Sequence, residues 1–274
     1  MTPLLPDAAW LRRLKLRLDR PPVRRRARLD LACAGRPSVA EIGSIEPALA
    51  TGLAGAGLPL HKAGATWRIE LARDVDIDPT FAAIARWLHT NGLAAAWRDE
   101  LLSIMDANGA DVGRIERAAV RPLGIATHAV HLVAVDVRGH VWVQQRALDK
   151  ATDPGLWDTA MGGLVAAGES SAQTLERESW EEAGLRCAEL REVSPFGRFT
   201  VRRPVTEGYM VEHIDMFETV LAHGIVPVNQ DGEVERFECL DLATLIERLR
   251  ADAFTLEAGM ILADWLVLRE RDGR

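Results

Sequence analysis

Three glutamates lie close together near the middle of the sequence. Glu178, Glu181 and Glu182 have the spacings i, i+3 and i+4, which place side chains on one face of an α-helix. Like charges at these spacings destabilise a helix by roughly 0.2–0.5 kcal/mol per pair. A hard divalent cation such as Mg²⁺ binds carboxylate oxygens together with water and phosphate oxygens, so it would offset that repulsion. The triplet therefore indicates either a cation site or a solvated acidic face.

The flanking residues predict the helix that carries these carboxylates. Ser170 and Gln173 have the spacing of a capping box, which begins a helix. Gly184 is suited to the position just after a helix C-terminus. A single short helix between them would project all three carboxylates in one direction.

The wider segment resembles the signature of the Nudix hydrolases. It matches the pattern G-x5-E-x7-R-E-U-x-E-E-x-G-U, with U aliphatic, at every fixed letter from Gly163 to Gly184. At residue frequencies of about 5–8% each, seven fixed letters would recur by chance on the order of once in 10⁹ starting positions. Ser179 occupies the first aliphatic place, and this departure concerns local packing rather than a metal ligand.

The resemblance implies roles for these residues. Glu178 and Glu182 would be the main ligands of Mg²⁺ or Mn²⁺, Glu181 would be a third ligand or a general base, and the carbonyl of Gly163 would complete the site. A structural ion pair would join Arg177 to Glu169. The implied reaction is attack of water on a phosphorus atom of a small-molecule diphosphate, assisted by the metal.

A second resemblance is to the Nudix subgroup related to the domain fused to thiamine pyrophosphokinase, which has an extra N-terminal domain. It implies thiamine diphosphate or its damaged analogues as substrates, with the monophosphate as product. The similar segments span about residues 80–265 and are Trp97-Arg98-Asp-Glu100-Leu, Gly124-Ile-Ala-Thr-His-Ala-Val-His131, Gln145-Arg146 with Lys150, Pro154-Gly-Leu-Trp-Asp158, and Asn229-Gln-Asp-Gly-Glu233-Val-Glu235-Arg-Phe237.

Five further residues are candidates for the same site. Glu233 and Glu235 could supply another carboxylate as ligand or base, or could be surface acids beside a turn. Arg146 and Lys150 could bind the terminal phosphate, or could be exposed cations at a strand end. Trp157 could stack on a ring of the substrate, or could belong to the core.

The order of predicted elements indicates an α/β protein with two parts. Residues 1–121 are expected to form a small α+β domain, with a helix near 7–19, a strand at 66–71 and a helix from Asp78. Residues 122–274 are expected to form a Nudix α/β/α sandwich on a mixed sheet. The strands and helices expected there lie at 131–137, 141–145, 156–161, 193–200, 211–220, 233–240, 242–251 and 256–270.

Composition and charge narrow the class of protein. Nearly half of the 274 residues are hydrophobic, and no apolar run is long enough to predict a membrane span. Cys33, Cys187 and Cys239 have no spacing typical of disulfides or zinc, which favours a cytoplasmic protein. Residues 1–36 carry a formal charge of +7; we interpret this as an amphipathic helix rather than a nucleic-acid surface, because no nucleic-acid motif accompanies it.

Other functions remain open at this stage. The segment from Gln145 to Trp157 is also similar to isopentenyl-diphosphate isomerases, but that branch needs a cysteine just beyond the tryptophan, where residues 158–163 have none. A non-catalytic Nudix regulator is a further alternative, although all the carboxylates of the signature are present. Among hydrolases, ADP-ribose, NADH and coenzyme A are rival substrates. The chain is expected to be a monomer or a homodimer.

Overall fold

A computed structural model describes residues 8–34, 39–73, 76–186 and 190–272. Asp7, Arg36 and Cys187, which entered the sequence predictions, lie outside the described residues. The helices are α1 (Ala8–Leu18), α2 (Pro47–Gly55), α3 (Asp78–Thr90), α4 (Ser171–Ala183), α5 (Leu242–Arg250) and α6 (Leu256–Asp272). The strands are β1 (Ala27–Cys33), β2 (Ala40–Ile45), β3 (Leu60–Ala63), β4 (Thr66–Leu71), β5 (Leu101–Met105), β6 (Asp111–Glu116), β7 (Ala126–Val135), β8 (Val141–Arg146), β9 (Trp157–Asp158), β10 (Met161–Leu164), β11 (Leu190–Val205), β12 (Gly208–Leu221) and β13 (Val234–Leu240).

The larger of the sheets is mixed. Its strands follow the order β11-β12-β7-β8-β13, with β10 paired to β7 and β9 paired to β8. β12 runs parallel to β7, whereas β10 and β8 run antiparallel to it. This arrangement confirms the mixed sheet predicted for the C-terminal part of the chain.

Helices cover both faces of this sheet because side chains of β7 alternate between them. Val130 and Leu132 belong to a cluster with Leu175 of α4. Val133 belongs to a second cluster, with Trp265 of α6 and with residues of α1 and α5. The predicted α/β/α sandwich is therefore confirmed, with α4 on one face and α1, α5 and α6 on the other.

The preceding part of the chain builds a smaller α+β unit. Its four-stranded sheet has the order β2-β1-β4-β3, and β5 pairs with β6 in a separate hairpin. Leu29 and Ile69 of the sheet and Phe81 and Leu88 of α3 share one hydrophobic cluster. This is the α+β region that the sequence predicts before the sandwich.

Helix α1 packs with the sandwich although it opens the chain. Trp10, Leu14 and Leu18 are buried in the same cluster as Ile261 of α6. The predicted amphipathic helix is therefore present, with its basic residues on the other side. The domain boundary between residues 121 and 122 stays a prediction. We propose that the N-terminal unit begins at β1 and that α1 belongs to the sandwich.

None of the helices within the described ranges combines the length and apolar character needed to cross a bilayer. Cys33 and Cys239 are free thiols.

Candidate active site

Helix α4 begins and ends as the sequence predicts. The Ser170 hydroxyl accepts a hydrogen bond from the Gln173 amide at 3.3 Å, and the Ser170 amide donates to the Gln173 side chain at 2.9 Å. Gly184 closes the helix with φ of 63°, a left-handed conformation that glycine adopts at little cost. The helix between these residues carries the three glutamates.

The three carboxylates project from one face of α4 but differ in burial. Glu182 is buried, and its Oε2 accepts hydrogen bonds of 3.0 Å from the Gly162 amide and from Nε2 of Gln144. The Glu178 side chain is mostly buried, whereas the side chain of Glu181 is 46% exposed. The acidic face is therefore partly withdrawn from solvent, unlike a purely solvated face.

Gly163 provides the space in which Glu178 lies. A Cβ added at Gly163 would come within 2.5 Å of the Glu178 Cγ and closer still to its carboxyl group. The main chain of β10 thus contacts the Glu178 carboxylate directly, which brings Gly163 and the glutamates together. A side chain at residue 163 would occupy this position.

Arg177 connects the glutamates to the preceding loop. Its Nε and Nη2 each donate to a Glu169 oxygen at 2.9 Å, and Thr174 donates to the same carboxylate at 2.8 Å. This contact confirms the predicted structural pair. Arg177 Nη1 also donates to Glu178 at 2.8 Å and to Glu181 at 3.0 Å, which aligns these two carboxylates.

The electrostatics of this cluster suit a divalent cation. Burial raises the pKa of Glu178 to about 7, despite the opposing charge of Arg177. Burial raises the pKa of Glu182 to about 8, and the negative charge of Glu178 adds to the shift. Two buried carboxyl groups this close together ionise at the same time only if a positive charge stabilises both. A bound Mg²⁺ or Mn²⁺ would supply that charge.

The glutamates face a cavity of about 590 Å³. Its walls come from both parts of the chain, because Arg98, Arg117 and Arg121 precede the first strand of the large sheet, whereas Glu178 and Glu233 lie on segments that connect its strands. The lining is dominated by charged side chains. A cavity of this size holds a small molecule and would present carboxylates and guanidinium groups to it.

Three of the other candidates also line this cavity. Glu233 forms an ion pair with Lys150, and both residues line the cavity. Arg146 donates to the Thr152 carbonyl at 3.0 and 3.2 Å and lies 3.5 Å from Asp158. The Arg146 guanidinium group therefore already binds protein groups. A phosphate could bind it only alongside these contacts or in place of some of them.

Two candidates lie elsewhere. Trp157 is buried in the core, with the guanidinium carbons of Arg248 and Arg236 4.6 Å and 5.4 Å from its ring centroid. Glu235 is exposed on β13 and is not among the described residues that line the cavity. The structure thus favours the core interpretation of Trp157 and the surface interpretation of Glu235.

Sequence reasoning does not place several charged residues of the cavity wall at the site, and it assigns one of them, Arg203, to an exposed loop, whereas the structure places it on β11. Arg121 and Arg203 lie far from the glutamates in sequence and form ion pairs with Glu212 and Glu257. Glu212 alternates with the apolar residues Met210 and Ile214 on one face of β12, and Glu257 lies in the mostly apolar start of α6; this is the one signal that could have drawn attention to them.

A second group of potential ligands has a structural explanation. Asp136, His140 and Cys239 have ligand atoms within 4.8 Å of one another, although the cysteine spacing did not predict this. The Asp136 carboxylate accepts hydrogen bonds from the amides of Arg138 and His140 at 2.8 and 2.9 Å. These bonds stabilise the turn between β7 and β8 and account for the position of the carboxylate.

Comparison with known proteins identifies the domain that holds the glutamates. The family model described as the NUDIX domain matches residues 126–259. These residues form a Nudix domain. An uncharacterized Nudix hydrolase of Pseudomonas aeruginosa is 39% identical over 110 residues, which cover 40% of this chain and 63% of that protein. The chloroplastic Nudix hydrolase 20 of Arabidopsis thaliana is 27% identical over 206 residues, or 73% of this chain and 55% of that protein.

A solved structure has a similar fold. The crystal structure of DR0079 from Deinococcus radiodurans has a TM-score of 0.50 and 22% identity, and the match covers 60% of this chain and 98% of that one.

An isopentenyl-diphosphate Δ-isomerase of Streptomyces coelicolor is also similar in sequence, with 29% identity over 65% of this chain and 87% of that protein. The chain spans between half and two thirds of the length of the first curated Nudix relatives that it matches.

Proposed function

We propose that this protein is a divalent-metal-dependent hydrolase that cleaves a diphosphate linkage. The observation that carries the proposal is the convergence of Glu178, Glu181, Glu182 and Gly163 on one wall of a cavity of about 590 Å³. Cytoplasmic location, and a monomeric or homodimeric state, stay predictions.

The carboxylates of α4 are the proposed ligands of the cation. Glu178 and Glu182 are the more buried pair, and Gly163 contributes its carbonyl from the adjacent strand. A bound Mg²⁺ or Mn²⁺ supplies Lewis acidity that activates water and neutralises phosphate charge. Arg177 holds Glu178 and Glu181 in position from the side of the Glu169 loop.

Proton transfer requires a carboxylate within reach of water. Glu181 is the most exposed of the three, which suits a third ligand or a general base. Glu233 also lines the cavity, but its ion pair with Lys150 holds its pKa below the usual range although burial opposes this. Glu233 is therefore ionised at neutral pH, and we retain it as the second candidate base.

The substrate follows from the resemblance to the thiamine-pyrophosphokinase-related subgroup. Thiamine diphosphate or a damaged analogue would be cleaved to the monophosphate. ADP-ribose and NADH are the alternative substrates within the same reaction. Lys150 and Arg146, which line the cavity, are the candidates to contact the terminal phosphate.

Isomerisation of an alkyl diphosphate is the competing reaction, favoured by the similarity to isopentenyl-diphosphate isomerases. Residues 158–163, directly after Trp157, contain no cysteine, whereas that branch requires one. This difference supports hydrolysis.

A substrate panel tests the proposal. Thiamine diphosphate, its oxidised analogues, ADP-ribose, NADH and isopentenyl diphosphate are incubated with Mg²⁺ or Mn²⁺, and products are resolved by phosphorus NMR. We expect metal-dependent release of a monophosphate from at least one diphosphate, abolished by chelator. Isomerised product without phosphate release, or no turnover of any compound, would refute the proposed reaction.

A further inference from the structure

The N-terminal unit contributes charged side chains to the cavity that holds the glutamates. Arg98 and Glu100 precede β5, Arg117 follows β6, and all three line the cavity. Acidic side chains outnumber basic ones in the lining as a whole. A diphosphate that enters it therefore needs positive charge besides the metal, and a cation that is not already neutralised by the protein would supply it.

The other arginines and the lysine of the lining already have partners. The pairs are Arg117 with Glu100 at 2.7 Å, Arg121 with Glu212 at 2.9 Å, Arg146 with Asp158 at 3.5 Å, Arg177 with Glu169 at 2.9 Å, Arg203 with Glu257 at 3.1 Å, and Lys150 with Glu233. Arg98 differs from them, because within the described ranges of the chain its guanidinium group forms no hydrogen bond or ion pair. Arg98 can therefore bind an anion without first breaking a contact with the protein.

Arg98 lies close enough to the acidic part of the cavity to act on it. Burial would raise the pKa of Glu233, but the ion pair with Lys150 and the charges of Arg117 and Arg98 lower it. Burial is the main cause of the raised pKa of Glu178, and the negative charge of Glu233 adds to it. Arg98, Glu233 and Glu178 therefore border the same part of the cavity.

The main chain holds Arg98 in a fixed position. Its amide donates to Oε1 of Glu116 at 3.0 Å, and Glu116 is only 3% exposed. Asp99 follows with a φ of 58°, a left-handed conformation that is uncommon for residues other than glycine. Nε1 of Trp97 donates to the Asp99 carboxylate at 2.6 Å, which closes a turn around Arg98. Backbone strain of this kind persists where surrounding contacts enforce it, and it is frequent at ligand sites.

The strand that follows Arg98 is joined to the loop that leads into the glutamate helix. The Leu101 carbonyl, in β5, accepts a hydrogen bond of 2.8 Å from the Ala167 amide. Ala167 lies between β10, which carries Gly163, and α4. Main-chain hydrogen bonds therefore connect the turn that holds Arg98 to the segment that positions the proposed metal ligands.

We propose that Arg98 binds a phosphate oxygen of the diphosphate, so that the N-terminal unit completes the active site of the Nudix domain. A guanidinium group can donate two parallel hydrogen bonds to one phosphate group. Arg146 and Lys150 contribute only as far as their own contacts with protein groups allow. This inference rests on the proposed function for its view of the cavity as a diphosphate site.

Binding of methylenediphosphonate tests this role without any turnover. Its P–C–P linkage resists hydrolysis, whereas its oxygens resemble those of a diphosphate. Isothermal titration calorimetry gives its Kd for the full chain in the presence of Mg²⁺. We expect Arg98→Gln to weaken binding by about 10- to 100-fold, since a hydrogen bond to a charged group is worth about that much. Arg98→Lys keeps the charge but loses the paired donors, so its Kd should be intermediate.

Arg86→Gln is the matched control. Arg86 is an exposed arginine of α3 in the same unit, and it is not among the described residues that line the cavity. This substitution removes the same charge from the same unit, so its Kd should equal that of the wild-type protein.

Two measurements separate phosphate binding from a structural effect. Mn²⁺ binding without the diphosphonate, followed by electron paramagnetic resonance, should not weaken in Arg98→Gln, because Arg98 is not a proposed metal ligand. Thermal unfolding verifies that the variants fold. Arg98→Gln should fold because its side chain is exposed and only its amide holds the turn.

The outcomes separate this inference from the proposed reaction. No binding of methylenediphosphonate by the wild-type protein, or an equal Kd in Arg98→Gln, would overturn the inference. An equal loss in Arg86→Gln would also overturn it, because the effect would then come from overall charge. Hydrolysis in the substrate panel alongside a Kd that does not depend on Arg98 would leave the proposed function standing without this residue. Absence of hydrolysis alongside a Kd that depends on Arg98 would refute the reaction and leave the phosphate contact supported.

Discussion

The position of Gly163 beside Glu178 allows a test of the proposed metal site that alters none of the proposed ligand side chains. A Cβ at this residue would lie 2.5 Å from the Glu178 Cγ, whereas nonbonded carbons rest at about 3.5 Å or more. Because the carboxyl group would be closer still, Gly163→Ala must displace the Glu178 side chain by at least about 1 Å. Misplacement of a catalytic group by about 1 Å can reduce a rate by about 100-fold, and we expect kcat/KM to fall by that order.

The fold should tolerate this substitution because Gly163 does not have a left-handed backbone conformation. Gly55→Ala is the matched control, since an added Cβ there meets no atom within 4 Å. Initial rates of phosphate release are measured across a range of Mg²⁺ concentrations for both variants. Wild-type kcat/KM and wild-type metal dependence in Gly163→Ala would refute the contact between Gly163 and the metal site.

Three further predictions concern the carboxylates and the N-terminal helix. Glu178→Gln should lower kcat by several orders of magnitude while circular dichroism and thermal unfolding stay close to wild type; near-normal turnover would remove Glu178 from the site. Burial raises the pKa of Glu178 to about 7 and that of Glu182 to about 8, above the unfolded value of 4.5, so the folded state binds more protons in this range. The metal-free protein should therefore lose stability as the pH rises from about 4.5 to 8, and Mg²⁺ should restore it at pH 8; a flat midpoint in thermal unfolding would contradict this. Leu14→Ala should cost about 2–5 kcal/mol in urea unfolding, because Leu14 is buried in the sandwich core, whereas Leu16→Ala, at a residue 65% exposed, should cost little. Equal effects of the two substitutions would place α1 outside the sandwich core.

The interpretation of the basic N-terminus depended on tertiary packing. The excess of arginine could have served phosphate binding, yet among the described residues the cavity lining begins only at Arg98, well beyond the basic segment. Arg26 donates instead to the carbonyls of Ser44 and Pro122, which joins the small unit to the start of the large sheet. The positive charge at residue 26 therefore has a structural role.

The small unit was the part of the fold least accessible from sequence. The Gly/Ala-rich stretch from 43 to 65 contains α2 and β3, and β1, β2, β5 and β6 were not predicted as strands either. These strands are short or carry charged residues in their interior, such as Asp30 in β1, so alternation is weak. Their pairing partners, rather than their own periodicity, determine their conformation.

The sequence by itself determined the chemistry of α4, because a helix fixes which side chains share a face once its ends are known. The shared face of Glu178, Glu181 and Glu182 and the capping residues Ser170 and Gly184 followed from local pattern, whereas the mixed sheet followed from the order of elements along the chain and from the family resemblance. Only the tertiary structure could bring Arg121, Arg203, Glu212 and Glu257 to the same cavity, since they lie on separate elements whose proximity is set by strand order and packing. The same packing buries Trp157 beneath two arginines and leaves Glu235 exposed to solvent. Residue type and spacing alone could not decide whether either residue belongs to the site.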